Sequence, residues 1–243
     1  MTFPDVVGVV LCGGRSSRMG RDKNFVSWAG RPLLQHVLRA MEQVCSEIIL
    51  VQADFAQPLP VLELKVPMQR LVDETPGAGP AASALVGFEH LRRLRGLEPM
   101  PSSVGHVGTA PHDSPTVLLT GNDSPLLQPT LLRYLIQRLR ANDQIDAVVP
   151  RSGVSGGLGQ PPTNRFPLCA AYRLRSADIL SSYIQEGGRS LKGWLDRLRV
   201  DEVPEGDLRT YDPELVSLIN LNTLQDLSEL ENQARDPNVP LLD

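Results

Sequence analysis

Cysteine, aromatic residues and long apolar runs are all scarce in this 243-residue sequence, and each shortage closes off a class of protein. Cys12, Cys45 and Cys169 are odd in number, far apart and without a C-x-x-C pair, which argues against a disulfide framework and against a zinc site. Reduced, buried thiols are expected. Aromatics make up 5% of the chain and the formal net charge is -4, so the sequence offers no basic, aromatic-studded surface for nucleic acid. No apolar run reaches the length of a bilayer span, and the opening MTFPDVVGVV lacks the basic segment of a signal peptide. The expectation is a cytoplasmic protein with no membrane contact. A G-x-S-x-G elbow, an H-E-x-x-H pair and a base placed beside a serine nucleophile are also missing, which removes the common hydrolytic machineries.

What is present suits a globular α/β protein. Hydrophobic residues at 41%, charged residues at 21% and a mean hydropathy of -0.14 are ordinary values, and the length suffices for one domain with a full core. Residues 1–243 are read as that single domain, with an exposed insertion at 96–115 and a loose tail at 235–243. His106, His112 and Asp113 fall inside the insertion, where a surface loop is a better account than a metal site.

Strand and helix signals alternate along the chain. Val6 to Leu11, Glu47 to Gln52 and Thr116 to Thr120 have the apolar content of buried strands, and Gln69 to Val72 and Ala147 to Pro150 read as further short strands. Helical spacing runs through Leu33, Leu34, Val37, Leu38 and Met41, through Ala81 to Arg95, and through Pro129 to Arg140. Ile179 to Ile184 and Leu191 to Leu198 form two further helices, with Trp194 on the core side of the second. Leu218 to Asn222 reads as a strand-like segment leading into a helix capped by Thr223 and Asp226. The proline-rich stretch from Ala53 to Met68 gives no assignment. Such alternation predicts a mostly parallel open sheet in a three-layer, Rossmann-like α/β fold.

The chemistry is concentrated where the first strand ends. Leu11 to Lys23 reads L-C-G-G-R-S-S-R-M-G-R-D-K, and Gly13-Gly14 lets backbone N–H groups approach an anion with no Cβ in the way. Arg15, Arg18, Arg21 and Lys23 crowd four cations into nine residues of an acidic chain, a local field suited to a polyphosphate. This is not a P-loop, because Gly20 is followed by Arg21 and Lys23 by Asn24, and G-x-G-x-x-G is absent. Two carboxylates follow later strands. Asp73 precedes a glycine-proline turn, with a turn or capping role as the plain alternative, and Asp123 lies in G-N-D-S-P-L-L just beyond a buried strand. Such a carboxylate is the hard oxygen ligand that Mg²⁺ takes in company with waters and phosphates.

The loop GG-x-S-x-R-M-G-x-D-K resembles the signature of nucleotidyltransferases that pass a nucleoside monophosphate from an NTP to a phosphorylated acceptor. Within that superfamily it most resembles the molybdenum cofactor guanylyltransferases, the MobA family. Asp123 with Pro125, the segment Pro167 to Tyr172, and Asn220-Leu221-Asn222-Thr223 extend the likeness to about Leu227. Gly79 to Ser83 matches the family's G-P-L-A-G turn only in its first half, and Asn122 stands where the family has Cys or Gly. The resemblance implies the nucleotide-diphospho-sugar transferase type of fold, GTP and molybdenum-molybdopterin as substrates, and Mg²⁺ as cofactor. It also implies transient contact with molybdoenzyme-maturation proteins. By the same likeness the backbone of Leu11, Cys12 and Gly13 reads the base and Lys23 meets the phosphates, with Gly14 and Arg15 also binding the nucleotide. Asp73 meets the nucleoside, Asp123 the metal, and Asn220 and Asn222 the acceptor, while Arg18, Lys23 and Asp123 carry the catalysis. The glycine-rich Arg151 to Arg165 is a further candidate for contact with the acceptor. The rival readings are a relative using CTP on molybdopterin, one using an NTP on a sugar or alcohol phosphate, and a non-catalytic nucleotide-binding homologue.

Overall fold

The computed structural model describes residues 2–12, 23–54, 58–73, 75, 77–97, 115–153 and 165–234. In chain order, β1 (Phe3–Leu11) leads to a 3-10 turn at Lys23–Phe25, and the short strands β2 (Ser27–Trp28) and β3 (Arg31–Pro32) open α1 (Leu33–Met41). Next come β4 (Cys45–Gln52), β5 (Met68–Val72), α2 (Pro80–Leu94), β6 (Thr116–Gly121) and α3 (Pro129–Arg140). The remainder is β7 (Ala147–Arg151), β8 (Cys169–Arg173), α4 (Ser176–Gln185), α5 (Leu191–Leu195), β9 (Val200–Pro204), α6 (Glu205–Leu208), a 3-10 turn at Val216–Leu218 and α7 (Leu224–Ala234).

Among the described residues the main sheet has seven strands in the order β5-β4-β1-β6-β8-β7-β9. The pairs β5/β4, β4/β1, β1/β6 and β7/β9 are parallel, and β8 alone runs antiparallel to its neighbours. Alternation along β1 explains the three layers. Val6 and Val10 face a core built with α1 and α3, through Leu34, Leu38, Leu131 and Leu135. Val7, Val9 and Leu11 face a second core with Phe88 of α2, Leu180 of α4 and Trp194 of α5. A strand buried on both faces needs a continuous apolar run, which is why these segments carry so little polarity.

From β1 the chain passes through β4 to β5 on one side, and α2 then carries it back to β6 on the other. The crevice at the C-terminal ends of β1 and β6 is therefore the switch point where open sheets of this kind bind ligands. The proline-rich stretch before β5 has no regular structure in its described part, 58–67. It is held by side chains instead: Gln35 of α1 donates to the Glu63 carbonyl at 2.8 Å and accepts from the Glu63 N–H at 2.9 Å.

Several sequence expectations need correction. Leu218 to Asn222 is not strand-like, because Leu218 closes a 3-10 turn and 219–222 is irregular. Asp212 makes that turn, accepting from the Val216 and Ser217 N–H groups at 3.0 and 2.8 Å. The second of the paired helices stops at Leu195 rather than Leu198. The strand β9, the helix α6 and the β2/β3 hairpin had no sequence signal strong enough to be read. Trp194 is fully buried, stacked 4.8 Å from Tyr172 and edge-on to Phe88, as core spacing required. Most of the insertion, at 98–114, and the tail at 235–243 lie outside the described residues.

Candidate active site

The register of the sheet puts four strand ends in one row. Leu11 pairs with Val51 on one side and with Gly121 on the other, and Val51 pairs with Leu71. Asp73 and Asp123 each lie two residues beyond this row. They therefore stand at the same level of the rim, three strand spacings or roughly 14 Å apart. Leu11 and Cys12 end the strand between them, and the Cys12 N–H donates to the Val51 carbonyl at 2.8 Å.

Asp123 is held at this rim by three hydrogen bonds to two neighbouring segments. The Asn122 N–H donates to the Leu11 carbonyl at 3.2 Å, and the Leu221 N–H donates to the Asp123 carbonyl at 2.8 Å. The Ser124 hydroxyl donates to the Asn220 side-chain oxygen at 2.8 Å. Behind these contacts lies a small apolar cluster of Val26, Trp28, Leu33, Leu126, Leu221 and Leu230, separate from the two main cores. Leu221 lies between Asn220 and Asn222, and Leu126 lies three residues beyond Asp123, so burial of this cluster helps to hold the polar rim. His36 ties in the hairpin: its ring lies 4.9 Å from Trp28, and Nε2 donates to the Trp28 carbonyl at 2.9 Å. Burial lowers the His36 pKa, partly opposed by that carbonyl and reinforced by Arg31 and Arg39, so a neutral imidazole holds the turn.

The Gly121 backbone is ordinary, and its lack of a side chain serves Asp123. A β-carbon there would fall within van der Waals distance of Asp123 Oδ1, 3.4 Å from its Cγ and 3.5 Å from Leu168 Cδ1. The glycine before the aspartate thus leaves room for the carboxylate to lie over the strand end. Among the described residues no three His, Cys, Asp or Glu side chains gather as a metal cluster. A half-buried single carboxylate suits Mg²⁺, which keeps most of its shell for water and phosphate, and does not suit zinc.

Asp73 is buried and largely occupied by its own turn. Oδ1 accepts from the Thr75 N–H at 2.9 Å and the Thr75 hydroxyl at 3.1 Å, and Oδ2 accepts from the Ser83 hydroxyl at 2.6 Å. The turn role is observed, and it uses three of about four acceptor sites on the carboxylate. Ser83 lies on α2, so Asp73 also locks the start of that helix to the rim. Gly79 at the α2 N-cap has φ 98°, and the Ala81 N–H donates to the Arg189 carbonyl at 3.2 Å.

Asn220 spends its side-chain oxygen on Ser124, and that bond does not use its amide nitrogen. The Asn222 N–H is capped by Asp226 at 2.7 Å, and Thr223 and Asp226 complete the expected reciprocal cap at 2.9 and 3.0 Å. Gly13, Gly14, Arg15, Arg18 and Arg21 lie outside the described residues, as does the side chain of Lys23. The Lys23 backbone begins the turn that contains Asn24, which is bonded to Asn122 at 2.7 Å. The structure thus brings Leu11, Cys12, the end of the cationic loop, Asp123, Asn220 and Asn222 to one rim. Asn24, Ser124 and Gln52 belong to that rim too; Ser124 lies inside the G-N-D-S-P-L-L stretch without a role assigned to it, and Asn24 has none. Gln52 is fully buried at the end of β4 and accepts from Arg70 Nε at 2.9 Å. A shallow cleft of about 300 Å³ lies further along the same edge, lined by Arg151, Ser152, Gly153, Pro204 and Glu205.

Comparison with known proteins agrees with this geometry. The family model described as MobA-like NTP transferase domain matches residues 8–201. The molybdenum cofactor guanylyltransferase of Desulfosudis oleivorans is 27% identical over 227 residues, covering 93% of this chain and 94% of that protein. The probable molybdenum cofactor guanylyltransferase of Chloroflexus aggregans is 30% identical over 236 residues, 96% of each chain. Among solved structures, molybdopterin-guanine dinucleotide biosynthesis protein A from Archaeoglobus fulgidus superposes with a TM-score of 0.67 at 24% identity, covering 94% of this chain and 98% of that one.

Proposed function

We propose that this chain, which belongs to the MobA-like NTP transferase family, transfers GMP from GTP to the phosphate of molybdenum-bound molybdopterin. Nucleotidyl transfer is the activity the family carries, and the guanylyl branch rests on relatives named guanylyltransferase over nearly their whole length. The observation that supports it most is the convergence of the cationic loop's stems, Asp123 and the Asn220–Asn222 segment on the β1/β6 crevice.

In this reading the acceptor needs no general base. A phosphate monoester has a second pKa of about 6, so near neutral pH it is already largely a dianion. One of its oxygens attacks the α-phosphorus of GTP, a new P–O bond forms, the bond from the α-phosphorus to the bridging oxygen breaks, and pyrophosphate leaves with that electron pair. The obstacle is repulsion between two anions. Arg15, Arg18 and Lys23 supply positive charge, and Gly13 and Gly14 offer backbone N–H groups with no side chain in the way. The Asp123 carboxylate would hold Mg²⁺, and the charge neutralisation that ion supplies to phosphates would act there. The ends of Leu11 and Cys12 face the base, Asp73 shapes the turn beneath the nucleoside, and the Asn220 and Asn222 amides orient the acceptor so that its oxygen lies in line.

Pyrophosphate release measured with molybdenum-loaded molybdopterin and each of GTP, CTP, ATP and UTP tests the reading. GTP is expected to be preferred, and Asp123→Asn is expected to abolish Mg²⁺-dependent release with an unchanged circular dichroism spectrum. A preference for CTP moves the chain to a cytidylyl role. Undiminished turnover in Asp123→Asn removes that carboxylate from the mechanism.

A further inference from the structure

The residue in front of Asp123 grips both stems of the cationic loop. The Asn122 backbone N–H donates to the carbonyl of Leu11, where the loop leaves β1, at 3.2 Å. Its side-chain Nδ2 donates to Oδ1 of Asn24, where the chain has just returned from the loop, at 2.7 Å. Asn24 and Asn122 are 98 positions apart in sequence, and each is covalently next to a proposed site residue, Lys23 and Asp123. Asn24 is 1% exposed, so its amide is removed from water and its cost of burial is met through bonds such as this one. An amide pair with one member buried favours one relative placement of the two segments over neighbouring ones, which an apolar contact does not do.

We propose that Asn24 and Asn122 form a positioning clamp that sets the phosphate-binding loop and the metal-binding carboxylate at one fixed separation. The proposal rests on the nucleotidyltransferase reading above and adds residues that neither the loop motif nor the aspartate motif contains. Neither asparagine is placed in contact with substrate. The clamp acts through Lys23 and Asp123: with it closed, the triphosphate held by the loop presents its oxygens to the metal held by Asp123. With it open, each half still binds its own ligand, but the two are out of register, and a displacement of about 1 Å at a reacting centre costs on the order of 10²-fold in rate.

The test is a double-mutant cycle of Asn24→Ala, Asn122→Ala and the pair, read in two ways on the full chain. One is kcat for pyrophosphate release. The other is the ratio of GTP affinities with Mg²⁺ and with EDTA, measured by calorimetry, which reports how well nucleotide and metal share the site. Each single variant is expected to lose about 100-fold in kcat and about 10-fold or more in the affinity ratio, with the EDTA affinity little changed. The double variant is expected to lose no more than either single one. Asn24→Asp keeps an acceptor facing the Asn122 amide and is expected to stay within about threefold of the wild type. Folded alanine variants with an unchanged ratio, or losses that simply multiply in the double variant, overturn the clamp.

Should an alanine variant fail to fold, Asn24→Asp is compared with Asn24→Asp/Asn122→Asp, which sets two carboxylates against each other. Equal activity of those two overturns the proposal. Absence of nucleotide binding by the wild-type protein ends the functional reading and the clamp together, whereas wild-type binding with indifferent variants ends the clamp alone.

Discussion

Replacing Gly121 by alanine isolates the Asp123 carboxylate without touching it. The new methyl group would fall within van der Waals distance of Asp123 Oδ1, and Leu168 Cδ1 at 3.5 Å closes the way on its other side. The carboxylate is the movable partner, and it must retreat by about 1 Å to restore ordinary contact distance. On stability the change is close to neutral. Alanine in a strand gains about 0.5–1 kcal/mol over glycine through the unfolded chain, and an Asp123 side chain pushed off its rotamer loses about 0.5–1.5 kcal/mol. On catalysis it is not neutral, since a shift of that size costs on the order of 10²-fold, equivalent to about 2.7 kcal/mol of transition-state stabilisation. The expected result is a thermal midpoint within a few degrees of the wild type, together with pyrophosphate release from GTP that is slowed about 100-fold. Release within about threefold of the wild type, in a folded protein, would show that the position of the Asp123 carboxylate does not limit the reaction.

Three further outcomes follow from contacts away from that carboxylate. Gly79 has φ 98° and ψ 169°, a region only glycine tolerates, and a β-carbon there would lie 2.7 Å from the Arg189 carbonyl. Gly79→Ala should therefore cost about 2–3 kcal/mol in urea unfolding by adding strain and breaking the Ala81–Arg189 bond. Asp146, 3% exposed, accepts from Arg199 through its backbone N–H, Nε and Nη2, and from Arg175 Nε. Burial raises its pKa, but the Arg199 and Arg175 bonds outweigh burial and leave it below the usual carboxylate value. Its contribution is thus complete above the unfolded pKa of about 3.9 and disappears as pH falls through the lower folded value. Asp146→Ala should cost about 3 kcal/mol at pH 7, and the gap to the wild type should close below about pH 4. A constant gap down to acid pH would rule out the carboxylate's charge as the cause. Trp194 is fully buried and its Nε1 has no hydrogen-bond partner among the described residues. Trp194→Phe removes that unpaired donor along with some packing, so denaturant unfolding should show a change within about 1 kcal/mol, against about 3–5 kcal/mol for Trp194→Ala.

Much of the proposed chemistry is legible in the sequence because it is local. The glycine pair after β1 and its four cations form one short stretch, and Asp123 announces itself by the Gly and Pro around it. Thr223 and Asp226 were readable as a cap because capping acts over three residues, and the bonds are present as expected. The segment just before them was misread. Asn220 and Asn222 alternate as a strand would, but the Asp212 carboxylate closes a turn at 216–218 just before them, and Asn220 turns its oxygen to Ser124. Alternation of two residues carries too little information to overrule such a contact.

By itself the sequence determined which stretches are apolar strands, which are amphipathic helices, and that four cations follow the end of β1 within a few residues. Periodicity and composition act over one or two turns, so these need no knowledge of neighbours. Only the tertiary structure decided that β6 lies beside β1 rather than beside β5, which sets Gly121 opposite Leu11 and carries Asp123 to the loop. The cluster of Val26, Trp28, Leu33, Leu126, Leu221 and Leu230, and the bond between Asn24 and Asn122, join segments far apart in the chain. Their partners are chosen by what is buried against what, a property of the packed molecule that no window of sequence contains.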